Sequence, residues 1–335
     1  MHHQKQHPVP LLSVSMNTDP NNYVHRLIMS VDYEVSQFVV QIGHVDRAIV
    51  EAIAGKARAA FEKQAHLIKS YEIIELSSNP GSARGFNFGL RTMMNPEMHH
   101  PSTHSATAKT TNVNARRSGA DWVLVVNNDI AFYPGILRRV AKHAYKSLHH
   151  NSTFGVGFTS LCCGGEWSAV VFTKRLVEKV GFFDENFYPA YYEDDDYGIR
   201  IHHSGFKAQR WDNTPLLHGT IDGSKDYLSG LFVQLYLHPD KSAATDAWRK
   251  SHEAGVSVSK AYIEAKWGVN MGGFKMAAKL DCKTLQGLNE GCKTGFTLPF
   301  NGTTPHESLS SWKLLNETIQ RMVLAATTPQ LAKPT

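Results

Sequence analysis

The chain has 335 residues, 42% hydrophobic and 19% charged, a balance that excludes a disordered or fibrous protein and allows one large α/β unit with an appendage. The net charge of +5 is modest and gathers into no Lys/Arg block interleaved with aromatics, which argues against nucleic acid as a partner and suits a phosphate-bearing small substrate. With no apolar run of about 18 residues, no transmembrane helix is expected.

Residues 11–17, LLSVSMN, read as a short buried strand, followed by a helix-like NNYVHRLIMSV. A second strand is expected at 36–45, SQFVVQIGHV, and the Ala-, Lys- and Glu-rich stretch after it has a helical period. YEIIELSSN at 71–79 gives the third strand. ADWVLVVNNDIAFY at 120–133 gives a fourth, its apolar core too short for a helix. Then PGILRRVAKHAYKSL runs as a helix, with Pro134 suited to its first position. TFGVGFTS at 153–160 and EWSAVVFT at 166–173 are further strands. This alternation predicts a mostly parallel sheet with helices on both faces.

Two stretches break the pattern. Residues 93–112 have no periodicity and read as a mobile loop. From 225 onward the strand alternation gives way to helix-like segments, so the expected plan is a flexible tail at 1–10, an α/β domain at 11–224 and a mostly helical extension at 225–335 with a frayed end.

The N-terminal segment carries too few apolar residues for a signal peptide, which favours a cytoplasmic protein, or a lumenal one if an anchor is missing from this chain. Cys162 and Cys163 read as packed thiols, whereas Cys282 and Cys292 could bridge in an oxidising lumen. The three N-x-S/T sequons, at Asn151, Asn301 and Asn316, would agree with a lumen but arise readily by chance.

In an open parallel sheet, ligands bind outside the carboxyl ends of the strands. After the third strand comes SSNPGSARGFNFGL, with Gly81, Gly85 and Gly89 at intervals of four. Such glycines let a ligand approach the backbone, and a helix starting here favours an anion. The spacing fits neither the dinucleotide fingerprint nor a P-loop, and a plain turn-and-helix accounts for it equally. The fourth strand runs into Asn127, Asn128 and Asp129, poor strand residues. They read as a strand-ending turn or as oxygen donors for a hard cation held mainly by substrate phosphates. Further on, Glu193, Asp194, Asp195 and Asp196 stand side by side. A solvated acidic turn is the plain account; crowding also raises the pKa of at least one carboxylate, which suits proton abstraction near neutral pH.

The block around that run resembles the second half of a family-2-type GT-A glycosyltransferase. It supplies, in the order and spacing of that family's pattern, Arg175, Leu176, Val180-Gly181, Phe183-Asp184-Glu185, Phe187, Tyr192-Glu193-Asp194, Asp196, Arg200 and Gly205, with a later histidine at His218. NPGSARGFNFGL is similar to the family's nucleotide loop and VVNND to a variant of its DxD metal motif. The resemblance spans roughly residues 11–220 and is strongest at 173–206.

It implies a GT-A fold and an inverting transfer of a sugar from a nucleotide-diphosphate-sugar donor to a hydroxyl-bearing sugar or glycoconjugate, with Mn²⁺ or Mg²⁺ on the diphosphate. Asp129 would be a metal ligand, with His218 completing the shell or touching the diphosphate. Asn127 would lie near the ribose or the metal, and Asn79, Gly81, Gly85, Asn87 and Asn128 would hold the donor. Asp194 would be the general base, Glu193 and Asp196 its support or the acceptor's, and Asp195 dispensable. Trp167 and Tyr192 would face the acceptor.

Two departures stand out: Asn127 replaces the first aspartate of the DxD triplet, and VVQIGHVD replaces the usual base-reading segment, with Gln41 and Asp46 both open as substitutes. The alternatives are a catalytically inactive GT-A-fold carbohydrate-binding subunit, which the missing aspartate permits, and a nucleotidyltransferase. The retained Glu193-Asp194 pair opposes the first, and the lack of an N-terminal Gly-rich signature with a basic residue opposes the second.

Overall fold

The computed structural model of the chain describes residues 7–17, 19, 22–95, 109–113, 119–161, 166–187, 190–218, 259–260 and 263. The elements run β1 (Val9–Met16), α1 (Tyr23–Met29), β2 (Val35–Gly43), α2 (Arg47–Lys63), β3 (Tyr71–Leu76), α3 (Ser82–Met94), β4 (Lys109–Val113), β5 (Trp122–Val126), β6 (Ile130–Phe132), α4 (Ile136–His150), β7 (Phe154–Leu161), β8 (Ala169–Thr173), α5 (Lys174–Val180), α6 (Glu193–Ser204) and β9 (Lys207–His218).

The strands form one 9-stranded sheet in the order β4-β3-β2-β1-β5-β8-β7-β9-β6. Its centre, β3-β2-β1-β5, is parallel throughout. β4, β8 and β6 run against their neighbours. The expected mixed α/β architecture with a mostly parallel sheet is therefore present. Each central strand is apolar on both sides, and successive residues serve opposite faces. On β5, Trp122, Leu124 and Val126 join the core under α1, α2 and α4. Val123 and Val125 join the core under α3, α5 and α6.

Two details depart from the sequence-based expectation. Residues 109–113, inside the expected loop, form β4, hydrogen-bonded antiparallel to β3; short Lys/Thr/Asn-rich edge strands carry little periodic signal because only one side of their ladder is paired. The stretch 120–133 is two strands rather than one. β5 stops at Val126, and Asn127, Asn128 and Asp129 turn the chain so that β6 pairs with β9 at the far edge. Of the expected extension at 225–335, only Ser259, Lys260 and Ile263 are described, all helical. The four cysteines lie outside the described residues.

The glycines of α3 serve packing as much as any ligand. A Cβ on Gly85 would stand 2.8 Å from Ser15 Cβ, and one on Gly89 would stand 2.7 Å from Ser13 Cβ. Serines on β1 facing glycines on α3 bring this helix unusually close to the sheet, with its start at the carboxyl end of β1.

Candidate functional site

β1 and β5 are sheet neighbours whose onward connections lead to opposite sides, the arrangement that opens a crevice at the carboxyl ends of parallel strands. A cleft of about 340 Å³ lies there. Ser15, Met16 and Asn17 at the end of β1 form one side, and Val125 to Asn128 at the end of β5 the next. Asn79, Gly81, Ser82, Gly85 and Phe86 contribute the β3–α3 connection and the first turn of α3, while Ala190 and Tyr191 form a lip just ahead of α6. Five of the expected donor residues (Asn79, Gly81, Gly85, Asn127 and Asn128) are thus neighbours in one cleft, although some fifty positions separate the two groups in the chain.

Local chemistry shapes each wall. The Asn79 side-chain Oδ1 accepts from the Gly81 N–H at 3.0 Å, a turn that leads into α3. Gly81 has φ 75°, a conformation that favours glycine. As N-cap it offers α3 no side-chain hydrogen bond, so the first-turn N–H groups are left for water or a ligand. Asn127 is fixed by its backbone N–H to the Ser168 carbonyl at 2.8 Å and by its amide to the Ser168 hydroxyl at 3.2 Å. Of the two residues open as base readers, Asp46 caps α2 by accepting from the Ala48 N–H at 2.9 Å. Gln41 accepts from Ser15 at 3.1 Å and so touches a cleft residue.

The four carboxylates occupy the first turn of α6, where free N–H groups and the helix dipole favour negative charge. That placement accounts for their adjacency, and the four differ sharply. Glu193 is 6% exposed. Burial, then the neighbouring Asp194 charge, pushes its pKa up to about 8. Its Oε2 has no hydrogen-bond partner among the described residues. Burial also raises Asp194, whose Oδ1 accepts from the Asp195 N–H at 2.9 Å. Asp195 is pushed up to about 7 by burial and by Asp194 and Asp196.

Asp196 is fully buried and holds Arg200 Nε at 3.0 Å. Arg200 in turn donates to the Val180 and Phe182 carbonyls at 3.1 and 2.8 Å. Asp196, expected beside the acceptor or the base, therefore clamps α6 to the loop that precedes it. Asn87, expected at the donor, is likewise away from the cleft. Its amide donates to the Phe183 carbonyl and to Glu185, both at 2.9 Å, and accepts from the Phe183 N–H at 2.7 Å. Glu185 also pairs with Arg84 and Arg91; burial opposes its charge, but Arg91, Asn87 and Arg84 outweigh that and hold its pKa below the ordinary value.

On the expected acceptor side, Trp167 packs among Phe158, Phe172, Phe183 and Tyr197. Tyr192 is the N-cap of α6, and it is its neighbour Tyr191, 36% exposed, that lines the cleft. Both tyrosines have positive φ, 81° and 67°. For a residue with a side chain that costs about 1–3 kcal/mol each, and it persists only where the surroundings impose it. Asp129 follows the cleft residue Asn128 in the turn before β6. His218, the last residue of β9, pairs in register with Ile130, so the two expected metal residues fall at one place on the sheet edge. Among the described residues, no three His, Cys, Asp or Glu side chains gather as a metal cluster.

Ser15, Asn17, Ser82 and Tyr191 belong to the cleft without having been expected there. The strand-end rule applied to β1 would have found Ser15 and Asn17; nothing in the sequence marks Tyr191 above Tyr192. Compared with protein-family models and with curated proteins, the chain matches none.

Proposed function

We propose that the chain is an inverting GT-A glycosyltransferase, transferring a sugar from a nucleotide-diphosphate-sugar donor to a hydroxyl-bearing glycan or glycoconjugate. The observation that carries this reading is the meeting, in one cleft at the β1/β5 carboxyl ends, of the Asn79–Gly85 loop, the Asn127–Asn128 strand end and the lip that leads into the acidic turn of α6.

The donor's diphosphate would lie against the start of α3, where uncapped N–H groups favour an anion. The described residues lining the cleft are themselves uncharged, so an added cation suits the site. Oxygen donors at Asn127, Asn128 and Asp129, with His218 in register beside them, are of the type a hard Mn²⁺ or Mg²⁺ accepts. When bound, such an ion would stabilise the charge that develops on the leaving diphosphate.

Asp194 would take the proton of the acceptor hydroxyl. The freed oxygen attacks the anomeric carbon from the face opposite the diphosphate, the carbon–oxygen bond to the diphosphate breaks, and the anomeric configuration inverts. Burial raises the pKa of Asp194, which increases its affinity for that proton. Asp195, expected to be dispensable, sits next to it with a raised pKa of its own and contributes to the shared titration of the turn.

The test is release of nucleoside diphosphate from a panel of nucleotide sugars with Mn²⁺ and mixed acceptors. Wild type should turn over at least one donor, and Asp194→Asn should lose about 10²–10⁴-fold, the usual worth of a general base. Donor binding without turnover on any acceptor would identify an inactive carbohydrate-binding subunit, and pyrophosphate released from a nucleoside triphosphate would identify a nucleotidyltransferase.

A further inference from the structure

The cleft lip is held by a residue from beyond β9. Ser259 Oγ donates to the Ala190 carbonyl at 3.0 Å, and Ala190 lines the cleft. The contact is packed rather than grazing, since Ser259 is 1% exposed and Ile263, one helical turn on, is 0% exposed. The Ala190 carbonyl and the Tyr191 N–H belong to the same rigid peptide plane. Ser259 therefore holds that plane from its carbonyl side.

Two facts make that grip matter. Tyr191 and Tyr192 follow directly with positive φ, a conformation that an unrestrained tyrosine leaves for the extended or helical region. Tyr191 is also the one described aromatic ring besides Phe86 that lines the cleft. Rotating the 190–191 plane changes φ at Tyr191 and swings that ring.

We infer that Ser259 is a positioning residue of the site: its hydrogen bond clamps the Ala190–Tyr191 peptide and so sets where the Tyr191 ring meets a ligand. The consequence for sugar transfer rests on the function proposed above; the clamp itself does not. With that bond in place, Tyr191 is fixed for stacking on the apolar face of a sugar or base. Without it, Tyr191 relaxes and the cleft loses that wall, while Asp194 remains on α6, which Asp196 and Arg200 anchor separately.

The experiment is amide hydrogen exchange on the full chain without ligand, comparing wild type with Ser259→Ala, each also in a Tyr191→Gly background. Losing one hydrogen bond is expected to speed exchange about five- to tenfold, confined to peptides covering 190–194. Glycine adopts positive φ freely, so with Tyr191→Gly in place the same substitution should change exchange less than about twofold. An unchanged lip in Ser259→Ala, a change spread over the whole sheet, or an equal change in both backgrounds overturns the clamp. If wild type turns over a donor, Ser259→Ala should raise KM several-fold with kcat nearly unchanged. A wild type without turnover refutes the transferase but leaves the exchange result to decide the clamp.

Discussion

Glu193 is where the chemistry of single residues is most exposed to test. Its carboxyl is raised from 4.5 to about 8 by burial and by Asp194. Between those values the folded protein keeps a proton that the unfolded chain has released. The stabilisation this gives is complete below about pH 4.5 and is lost as pH rises through about 8. Glu193→Gln removes the titration with little change in side-chain volume. The melting temperature of the variant should exceed that of wild type by on the order of 10 °C at pH 8 and nearly match it at pH 5, as calorimetry at the two pH values would show. A gain that is the same at both pH values would mean that the carboxyl does not titrate in this window. For Asp194 the direction alone is informative. If it is the base, the acid limb of the pH–rate profile lies above the ordinary aspartate range near about 3.9, and an acid limb at or below that range would remove it from the role.

At the scale of elements, the residues of the 180–205 block divide their work. Phe183 is core, Glu185 ties the loop to α3, and Asp196 with Arg200 ties α6 to the carbonyls of 180 and 182. A pattern that reads as catalytic is thus mostly a mounting that places the acidic first turn of α6 directly after the cleft lip at Ala190 and Tyr191. Removing one partner of the buried pair leaves a charge stranded, so Arg200→Ala should lower stability by about 3–5 kcal/mol in urea unfolding. The double variant with Asp196→Ala should lose clearly less than the sum of the singles. The approach of α3 to β1 is testable in the same way. Gly89→Ala gains about 1 kcal/mol of helix propensity, but its methyl would stand 2.7 Å from Ser13 and 3.0 Å from Val125. Overpacking wins, and a net loss of about 1–2 kcal/mol is expected, relieved by adding Ser13→Gly.

For the whole molecule, the site exists because strands far apart in sequence end side by side. Donor affinity should therefore depend on groups from both halves of the sheet. A nucleoside diphosphate should raise the melting temperature in Mn²⁺ but not in excess chelator, and Asp129→Ala should weaken that shift about tenfold in ligand concentration. Equal shifts with and without the cation would rule out Asp129 as a ligand.

How much of this was legible in the chain follows from the reach of each signal. Strand and helix periods are local, so β1, β2, β3 and β5 and the helices after them were readable from runs such as FVVQI and WVLVV. The glycine spacing of 81, 85 and 89 and the polar end of VVNND were visible too. Strand β4, paired on one side, and the split of β5 from β6 were not, because both depend on pairing with strands elsewhere. The sequence by itself determined the α/β alternation, the apolar faces and the acidic turn, since each rests on neighbours along the chain. Only the tertiary structure decided that Asp196 and Asn87 hold the fold, that Tyr191 lines the cleft and that Ser259 reaches its lip. Those roles depend on burial and on hydrogen bonds to residues tens of positions away, or on strain that surrounding elements impose, and no local pattern encodes them.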